Sequence, residues 1–412
     1  MTRMSLYSIG IGFLNLGTRI ASIFNKKAKL SIIGHDRIFR TLKEHVEPGC
    51  RYLWFHASSL GEFEQGRIIM EQIRSRYPEK KILLTFYSPS GYEVRKDYQG
   101  ADIVCYMPFD HTVCARRFLD LVPVEKAFFI KYEFWFNFLS ELNRRGIPSY
   151  SISSIFRPGQ YMFRWYGRYA RKGLRSIAHF YVQDGQSQKL LESIGITRTT
   201  VVGDTRADRV IQIAGQAAGL PLIESFARDS MVFIAGSSWP ADEELFIPLL
   251  LQRQGWKMII APHEIDERHL LEIEKHLGGS RHVRYSQLDG ESDMTVYDCL
   301  IIDCFGLLSS IYRYGHVAYI GGGFGAGIHN TLEAAVYGIP VMFGPNNRRF
   351  REARQLIACK GGFEVTDAHS LKMTFDKFIS DPAYRVRCGK AAGDCVLASK
   401  GTSQLIVDSL SL

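Results

Sequence analysis

The eight cysteines of this 412-residue chain contain no Cys-x-x-Cys pair, and the closest two, Cys299 and Cys304, flank the end of an apolar run. That spacing encodes neither a zinc site nor a disulfide framework, so the thiols are expected buried and free in a reducing compartment. No two aspartates are separated by a single residue, which removes the Asp-x-Asp pattern as a source of metal ligands. Short repeats and low-complexity segments are also missing. Acidic residues are the scarcer charge, 42 against 51 Lys and Arg, and the resulting +9 suggests an anionic partner, phosphates or an acidic membrane surface.

What remains is a globular composition, 46% hydrophobic and 23% charged, on a chain too long for one ordinary core. LWFHA, KILLTFYS (81–88), ADIVCYMP (101–108), AFFIKY (127–132), IPSYSIS (147–153) and HFYVQ (179–183) read as short buried strands separated by helical patterns. A second series follows: MVFIAGS (231–237), WKMIIAP (256–262), CLIID (299–303), HVAYIGG (316–322) and PVMFG (340–344). The expected fold is α/β, two doubly wound Rossmann-like domains facing a cleft, with ligands at the carboxyl ends of the strands. The boundaries expected are 31–205 for the first domain, 206–230 for a connection of small and polar residues, and 231–412 for the second.

Residues 1–30 stand apart. Leu6, Ile9, Phe13, Leu16, Ile20 and Ile23 form one helical stripe, and KKAK follows. No small-residue cleavage site follows the stripe, and Asn15 and Arg19 suit a spanning helix poorly. An interfacial membrane anchor fits, with a core helix of the first domain as the alternative.

Two stretches could carry chemistry. In HASSLGEFEQG (56–66) a strand ends and a helix begins, placing Glu62 in the first helical turn, either as a dipole-favoured helix-start residue or as a functional carboxylate. In GGGFGAGIHNTLEAAVYGIPVMFGP (321–345) the glycines suit either a tight strand-to-helix turn or a phosphate cradle, with Asn330 a plausible helix cap. Glu333 reads equally as a capping-box residue closing on Asn330 and as an acceptor for a ribose diol. A dinucleotide site is disfavoured, because its glycines should open the first strand-helix unit and an acidic residue should end the next strand, where GPNNRR stands.

Taken in order and spacing, HASSLGE, KYEFWFNFL (131–139), AGSSWPADEE (235–244), APHEIDER (261–268), GGGFGAGIHNTLEAA and GIPVMFGP resemble the 3-deoxy-D-manno-octulosonic acid (Kdo) transferases over nearly the whole chain. Those are inverting GT-B glycosyltransferases that move Kdo from CMP-Kdo onto the lipid A precursor of lipopolysaccharide at the cytoplasmic face of the cell inner membrane. The resemblance implies a catalytic base at Glu62. It implies donor contacts at Ser237, His263, Gly321, Gly322, Gly323, Phe324, Gly325, His329, Asn330 and Glu333, and acceptor contacts at Ser58, Ser59 and Gly61. No cofactor, metal or nucleic acid is implied. The chain departs from the family where GGG replaces Gly-Gly-Ser, GIHN replaces Gly-Gly-His-Asn and PHE replaces Pro-Arg-His. DCFGLL (303–308) stands for a Gly-Glu-Leu element, and Asp204 and Arg206 stand for an Asn and a Lys. Chemistry fits the reading: sugar-hydroxyl attack needs a base, the leaving phosphate needs stabilisation, and a helix dipole would hold Glu62 ionised.

RPGQYMFRWYGRYARKGLR (157–175) adds arginines interleaved with aromatics. If 161–176 is one helix, Arg164, Arg168, Arg171 and Arg175 share a face that could grip lipid phosphates, or could simply be solvated. Two rival functions remain at this level: a GT-B-fold epimerase of a UDP-sugar, and a non-catalytic membrane-bound anion-binding protein.

Overall fold

The computed structural model describes residues 6–412, and for Leu6 the backbone only. Two compact units divide the chain, one of residues 1–206 with 401–412, the other of residues 207–400. The strands of the first are β1 (Tyr52–Ala57), β2 (Lys81–Phe86), β3 (Ile103–Tyr106), β4 (Val124–Ile130), β5 (Ser149–Ser154), β6 (His179–Val182) and β7 (Thr199–Val201). Those of the second are β8 (Met231–Ser238), β9 (Trp256–Pro262), β10 (His282–Arg284), β11 (Cys299–Ile301), β12 (Val317–Ile320), β13 (Val341–Phe343) and β14 (Gly362–Glu364).

Each unit is built on a seven-stranded sheet, ordered β3-β2-β1-β4-β5-β6-β7 and β10-β11-β9-β8-β12-β13-β14. All pairings are parallel, and β1 is buried along its whole length, as a strand covered on both faces must be. The order reverses between β1 and β4 in one sheet and between β8 and β12 in the other. Crevices for ligands open at such switch points.

Three features correct the sequence-based expectation. β7, β10 and β14 are three-residue strands with too few side chains to show a period. The stretch taken as a connection holds two helices, Arg206–Gln216 and Pro221–Ala227, with Ala207, Val210, Ile223 and Phe226 buried in the core of the second unit. The C-terminal helix Thr402–Ser409 belongs to the first unit, not the second: Ile406, Val407 and Leu410 pack with Phe55 and Phe128, and Asp408 pairs with Arg76 at 2.5 Å.

At the N-terminus, α1 (Leu6–Ala21) precedes α2 (Lys26–His45), whose first turn is capped by the Asn25 side chain. Residues 1–5 of the expected anchor, and the Leu6 side chain, lie outside what is described. α1 turns Tyr7 and Ile11 inward, with the Tyr7 hydroxyl 2.7 Å from Asp110. Ile9, Phe13, Leu14, Leu16 and Ile20 remain exposed, as do Ile23 and Phe24 just beyond. Among the described residues no single helix is long and apolar enough to cross a membrane.

Candidate active site

At the first switch point β1 runs through the extended residues Ser58 and Ser59 into α3 (Leu60–Arg76). Ser59 occupies the cap position but its side chain makes no capping bond, and the Glu62 carboxylate takes over by accepting the Ser58 amide at 2.6 Å. Glu62 thus makes a contact of the kind that a helix-start carboxylate makes. Gly61 lies inside the helix, without a left-handed φ, and a Cβ there would meet nothing within 4 Å. The chain thus leaves the strand at Ser58 and Ser59, and Gly61 is not needed for the turn.

The end of β4 faces this carboxylate. Lys131 adopts a left-handed φ of 59°, a conformation a lysine holds only when its surroundings impose it. With its amide oxygen turned toward them, Gln65 accepts from Lys131 Nζ at 3.1 Å and from Arg206 Nε at 3.3 Å, and Arg206 is itself paired with Asp204 at 2.6 Å. Glu133 accepts the Trp135 indole N–H at 2.9 Å and stands 3.5 Å from His56 Nε2. Burial, and then the charge of Glu133, push the Glu62 carboxyl up to about 7, against the Ser58 and Ser59 amides and Lys131. A helix start was expected to keep Glu62 ionised; desolvation and a like-charged neighbour outweigh it. The result is a carboxylate that gives and takes protons near neutrality, the range in which a general base is most effective.

The second switch point is built differently. Ser237, at the end of β8, also has a left-handed φ, of 52°, and the strand bulges between Gly236 and Ser238. Gly321 follows β12 so closely that a Cβ would lie 2.2 Å from the Ser237 carbonyl, and one on Gly323 would lie 2.5 Å from Gly344. Gly322 is left-handed, with φ 90°. These glycines are required by close backbone packing. Several of the loop amides are also engaged within the protein: Gly321 donates to Gly236, Gly322 to Asp242, Gly325 and Gly327 to Gly322, and His329 to Gly321. The five amides of Gly321, Gly322, Gly325, Gly327 and His329 are therefore already engaged within the protein.

Asp242, which the sequence reading did not single out, ties this region together. It is buried and accepts the Gly322 amide at 2.8 Å, the Trp239 amide at 3.0 Å and the Tyr319 hydroxyl at 2.7 Å. Burial raises its proton affinity, and those three donors oppose the shift. Its neighbour Glu243 accepts Ser238 Oγ at 2.7 Å and lies 2.9 Å from His269 Nε2. Two acids just after a proline that follows a strand were the available signal.

Exposed His263 stacks between Trp239, with centroids 4.9 Å apart, and His329, at 4.1 Å. Trp239 Nε1 donates to His329 Nε2 at 3.2 Å; burial and then His263 push the His329 imidazole down to about 4, which keeps that nitrogen an acceptor. Asn330 accepts the Leu332 amide at 3.2 Å and donates to Glu333 Oε1 at 2.9 Å. The helix that follows is shorter than expected, Leu332–Ala335, because Gly338 turns left-handed, with φ 72°, before Pro340. Phe324 is half-buried and Gly325 exposed on the outer turn of the loop.

The basic stretch does not form one helix. A 3-10 turn, Tyr161–Phe163, is followed by a helix only from Arg168 to Leu174, so the four arginines share no common face. Arg171 donates to the carbonyls of Met162 at 3.0 Å and Arg164 at 2.7 Å, a clamp on the loop, and Arg175 donates to that of Ile194 at 3.1 Å. Arg164 and Arg168 are exposed.

A family model described as 3-deoxy-D-manno-octulosonic-acid transferase (kdotransferase) matches residues 33–209. A bifunctional glycosyltransferase/methyltransferase of Fusobacterium nucleatum subsp. nucleatum is 24% identical over 328 residues, 76% of this chain and 50% of that relative, so the chain spans half the relative's length. A 3-deoxy-D-manno-octulosonic acid transferase of Aquifex aeolicus is 24% identical over 80% of this chain and 86% of its own length. Among solved structures, UDP-GlcNAc 2-epimerase from Neisseria meningitidis bound to UDP-GlcNAc is 13% identical, covers 87% of this chain and 99% of that one, and has a TM-score of 0.63, a likeness of fold alone. The fold is GT-B. The family model runs through β1, Glu62 and the end of β4, and transferases of the same kind align along most of the sequence, so the chain is similar to the Kdo transferases.

Proposed function

We propose that this protein is a glycosyltransferase that moves Kdo from CMP-Kdo onto a lipid A precursor, with inversion at the anomeric carbon, without a metal ion, and with Glu62 as general base. One observation carries the reading: at the switch point of the first sheet, inside the region matched by the family model, stands a carboxylate with its proton affinity lifted to about 7. An acceptor hydroxyl attacks the anomeric carbon, Glu62 takes the hydroxyl proton, and CMP departs from the opposite face with the bonding electrons. The donor is assigned to the second switch point, with Ser237, His263, His329, Gly321 to Gly323, Phe324 and Gly325 around the nucleotide and the Asn330–Glu333 pair toward ribose hydroxyls. The acceptor is assigned to Ser58, Ser59 and Gly61, with Arg164 and Arg168 for its phosphates; the clamp role of Arg171 argues for leaving it out.

Incubating the purified protein with CMP-Kdo, a lipid A precursor and excess EDTA, then weighing the lipid by mass spectrometry, tests this. A mass gain of one or more whole Kdo residues is expected. An unchanged lipid, or epimerisation of a UDP-sugar instead, defeats the reading.

Docking at the cytoplasmic face of the inner membrane is part of the proposal. The apolar side of α1 and the chain beyond it is exposed, Phe13 at 70%, Ile23 at 73% and Phe24 at 87%. Trp165 is exposed at 89% and Tyr166 at 59%, while Tyr169 stacks on Tyr7 of α1 at 5.5 Å, so the two patches adjoin. Apolar and aromatic side chains beside cations suit the headgroup boundary. Deleting residues 1–24 should abolish cosedimentation with anionic vesicles and leave CMP binding intact; unchanged cosedimentation overturns this element.

A further inference from the structure

His56 is the last polar side chain of β1 and is completely buried, yet its Nε2 has no hydrogen-bond partner. Buried polar atoms without partners are rare, and they mark places where a contact is completed in another state of the site. The ring is held edge-on between Phe129, with centroids 6.2 Å apart, and Trp135, at 5.8 Å, so it has little freedom to turn away. Its Nδ1 lies 2.9 Å from Thr85 Oγ1, an oxygen that already receives the Trp54 indole N–H at 2.8 Å. Its Nε2 points at Glu133 Oε2, 3.5 Å away, the same oxygen that accepts the Trp135 indole N–H.

We propose that His56 is a positioning residue that holds the Glu133 carboxylate beside Glu62. The inference rests on Glu62 being the base. The Thr85 hydroxyl hydrogen has two acceptors in reach, His56 Nδ1 at 2.9 Å and the Phe55 carbonyl at 3.3 Å; given to the nearer Nδ1, it leaves the ring's own hydrogen on Nε2, directed at Glu133. A second donor on Glu133 Oε2, added to Trp135, fixes that carboxylate in place. Two facing carboxylates compete for one proton. Held there, Glu133 keeps its charge against Glu62 and, after burial, helps to raise the proton affinity of the group that must accept the substrate's proton. The 3.5 Å separation tightens to a hydrogen bond when a ligand fills the site, as catalytic contacts often do.

The other groups around the pair are accounted for. Lys131 and Tyr132 face Glu62 from the end of β4, and the Ser58 and Ser59 amides face it from the start of its own helix. Arg157 beyond β5 and Asp204 and Arg206 beyond β7 stand near Tyr132, and Tyr87 beyond β2 faces Glu133. His56 stands 3.5 Å from Glu133, with an Nε2 that has no hydrogen-bond partner.

Two substitutions separate the two ends of the ring. His56→Asn keeps a group near Thr85 but cannot reach Glu133; His56→Gln reaches Glu133 but gives up Thr85. In the transfer assay, His56→Asn should move the rising limb of kcat/KM against pH downward by about one unit. It should also lower kcat roughly 10-fold to 100-fold. His56→Gln should keep the wild-type limb. An Asn variant that melts like wild type and shows the wild-type limb overturns the proposal. Nitrogen-15 NMR of the wild-type imidazole gives a readout independent of any variant's folding: the expected ring carries its proton on Nε2, and a ring protonated only on Nδ1 overturns the proposal. Failure of the wild-type protein to transfer Kdo would defeat the reading of Glu62 and leave the tautomer result to decide the His56–Glu133 contact by itself.

Discussion

The two switch points share a plan and differ in content. Each lies where the strand order of a parallel seven-stranded sheet reverses, and each holds a non-glycine residue in a left-handed conformation, Lys131 at one and Ser237 at the other. Such conformations cost on the order of 1–3 kcal/mol apiece and persist only where the surroundings enforce them. At the first, the acids Glu62 and Glu133 face one another, and burial leaves Glu62 short of compensation. At the second, the acids Asp242 and Glu243 are wholly taken up, one by two amides and a hydroxyl, the other by Ser238 and His269. Burial raises the proton affinity of Glu62, Asp242 and Glu243 alike, but at the second point each carboxylate is held by two or three donors. A base needs an unsatisfied charge, whereas a binding loop needs fixed backbone. This division favours chemistry at the first point and ligand holding at the second.

Glu62→Gln breaks the comparison most sharply. As the base, its loss should reduce single-turnover transfer by roughly 100-fold to 10,000-fold with donor and acceptor binding nearly intact. Stability should hardly suffer. A carboxyl whose folded-state pKa is raised stabilises the fold below its unfolded pKa, and that contribution is lost as pH rises through about 7, so at pH near 8 the neutral amide, whose oxygen can still accept the Ser58 N–H, gives up little. Thermal melts and rapid-quench rates on one preparation check both halves. A fully active variant means that the first switch point does no chemistry.

The pH profile sharpens the same point. Only ionised Glu62 can accept a proton, so kcat/KM should rise with pH through a midpoint near 7 and fall about tenfold for each unit below it. A flat profile between pH 5.5 and 8.5 would place the proton elsewhere.

The second switch point should respond in binding and stability. Glu333→Ala removes a charged acceptor and should weaken CMP binding by about 1–3 kcal/mol, read by calorimetry. Asp242→Asn leaves at least one of its three donors badly served and should lower stability by a similar amount, about 1–3 kcal/mol, along with CMP affinity. Unchanged CMP affinity with a lowered melting point in Glu333→Ala would reduce Glu333 to a partner of Asn330.

How much of this was legible beforehand follows from what a linear pattern can show. Runs such as LWFHA and KILLTF, buried on both faces, announce a parallel sheet, and both switch points were readable as strand ends followed by Gly61–Glu62 and by Gly321–Gly323. Three-residue strands carry no period, and the return of Thr402–Ser409 to the first unit depends on long-range contacts of Ile406 and Val407. The proton affinity of Glu62 was not legible because its helix start is local, whereas the burial that chiefly raises it comes from the folded unit, and Glu133, the next cause, lies 71 residues away in sequence (133 − 62) and meets it through the β1–β4 pairing. The arginines of 157–175 looked like one face because the sequence spacing was helical. Gly167 interrupts the run: a Cβ there would lie 2.3 Å from the Tyr161 carbonyl, so the chain folds back where the pattern continues.

The smallest expected effect concerns Gly61, where the comparison with Gly321 is most direct. Both glycines sit just past a strand at a switch point, but Gly321 is packed against backbone and Gly61 faces open space. Gly321→Ala should therefore be poorly tolerated by the fold. Gly61→Ala, at a helical position without strain, should stabilise it by about 0.5–1 kcal/mol, the usual gain of alanine over glycine in a helix. If the acceptor passes over the bare Cα of Gly61 on its way to Glu62, the added methyl obstructs it, and the acceptor KM should rise roughly 10-fold, the lower end of what one methylene is worth in a shaped pocket. Higher melting temperature together with raised acceptor KM and unchanged donor affinity would place the acceptor path over α3. Higher melting temperature with unaltered kinetics would mean that the acceptor reaches Glu62 from elsewhere, with Gly61 no more than a helix residue.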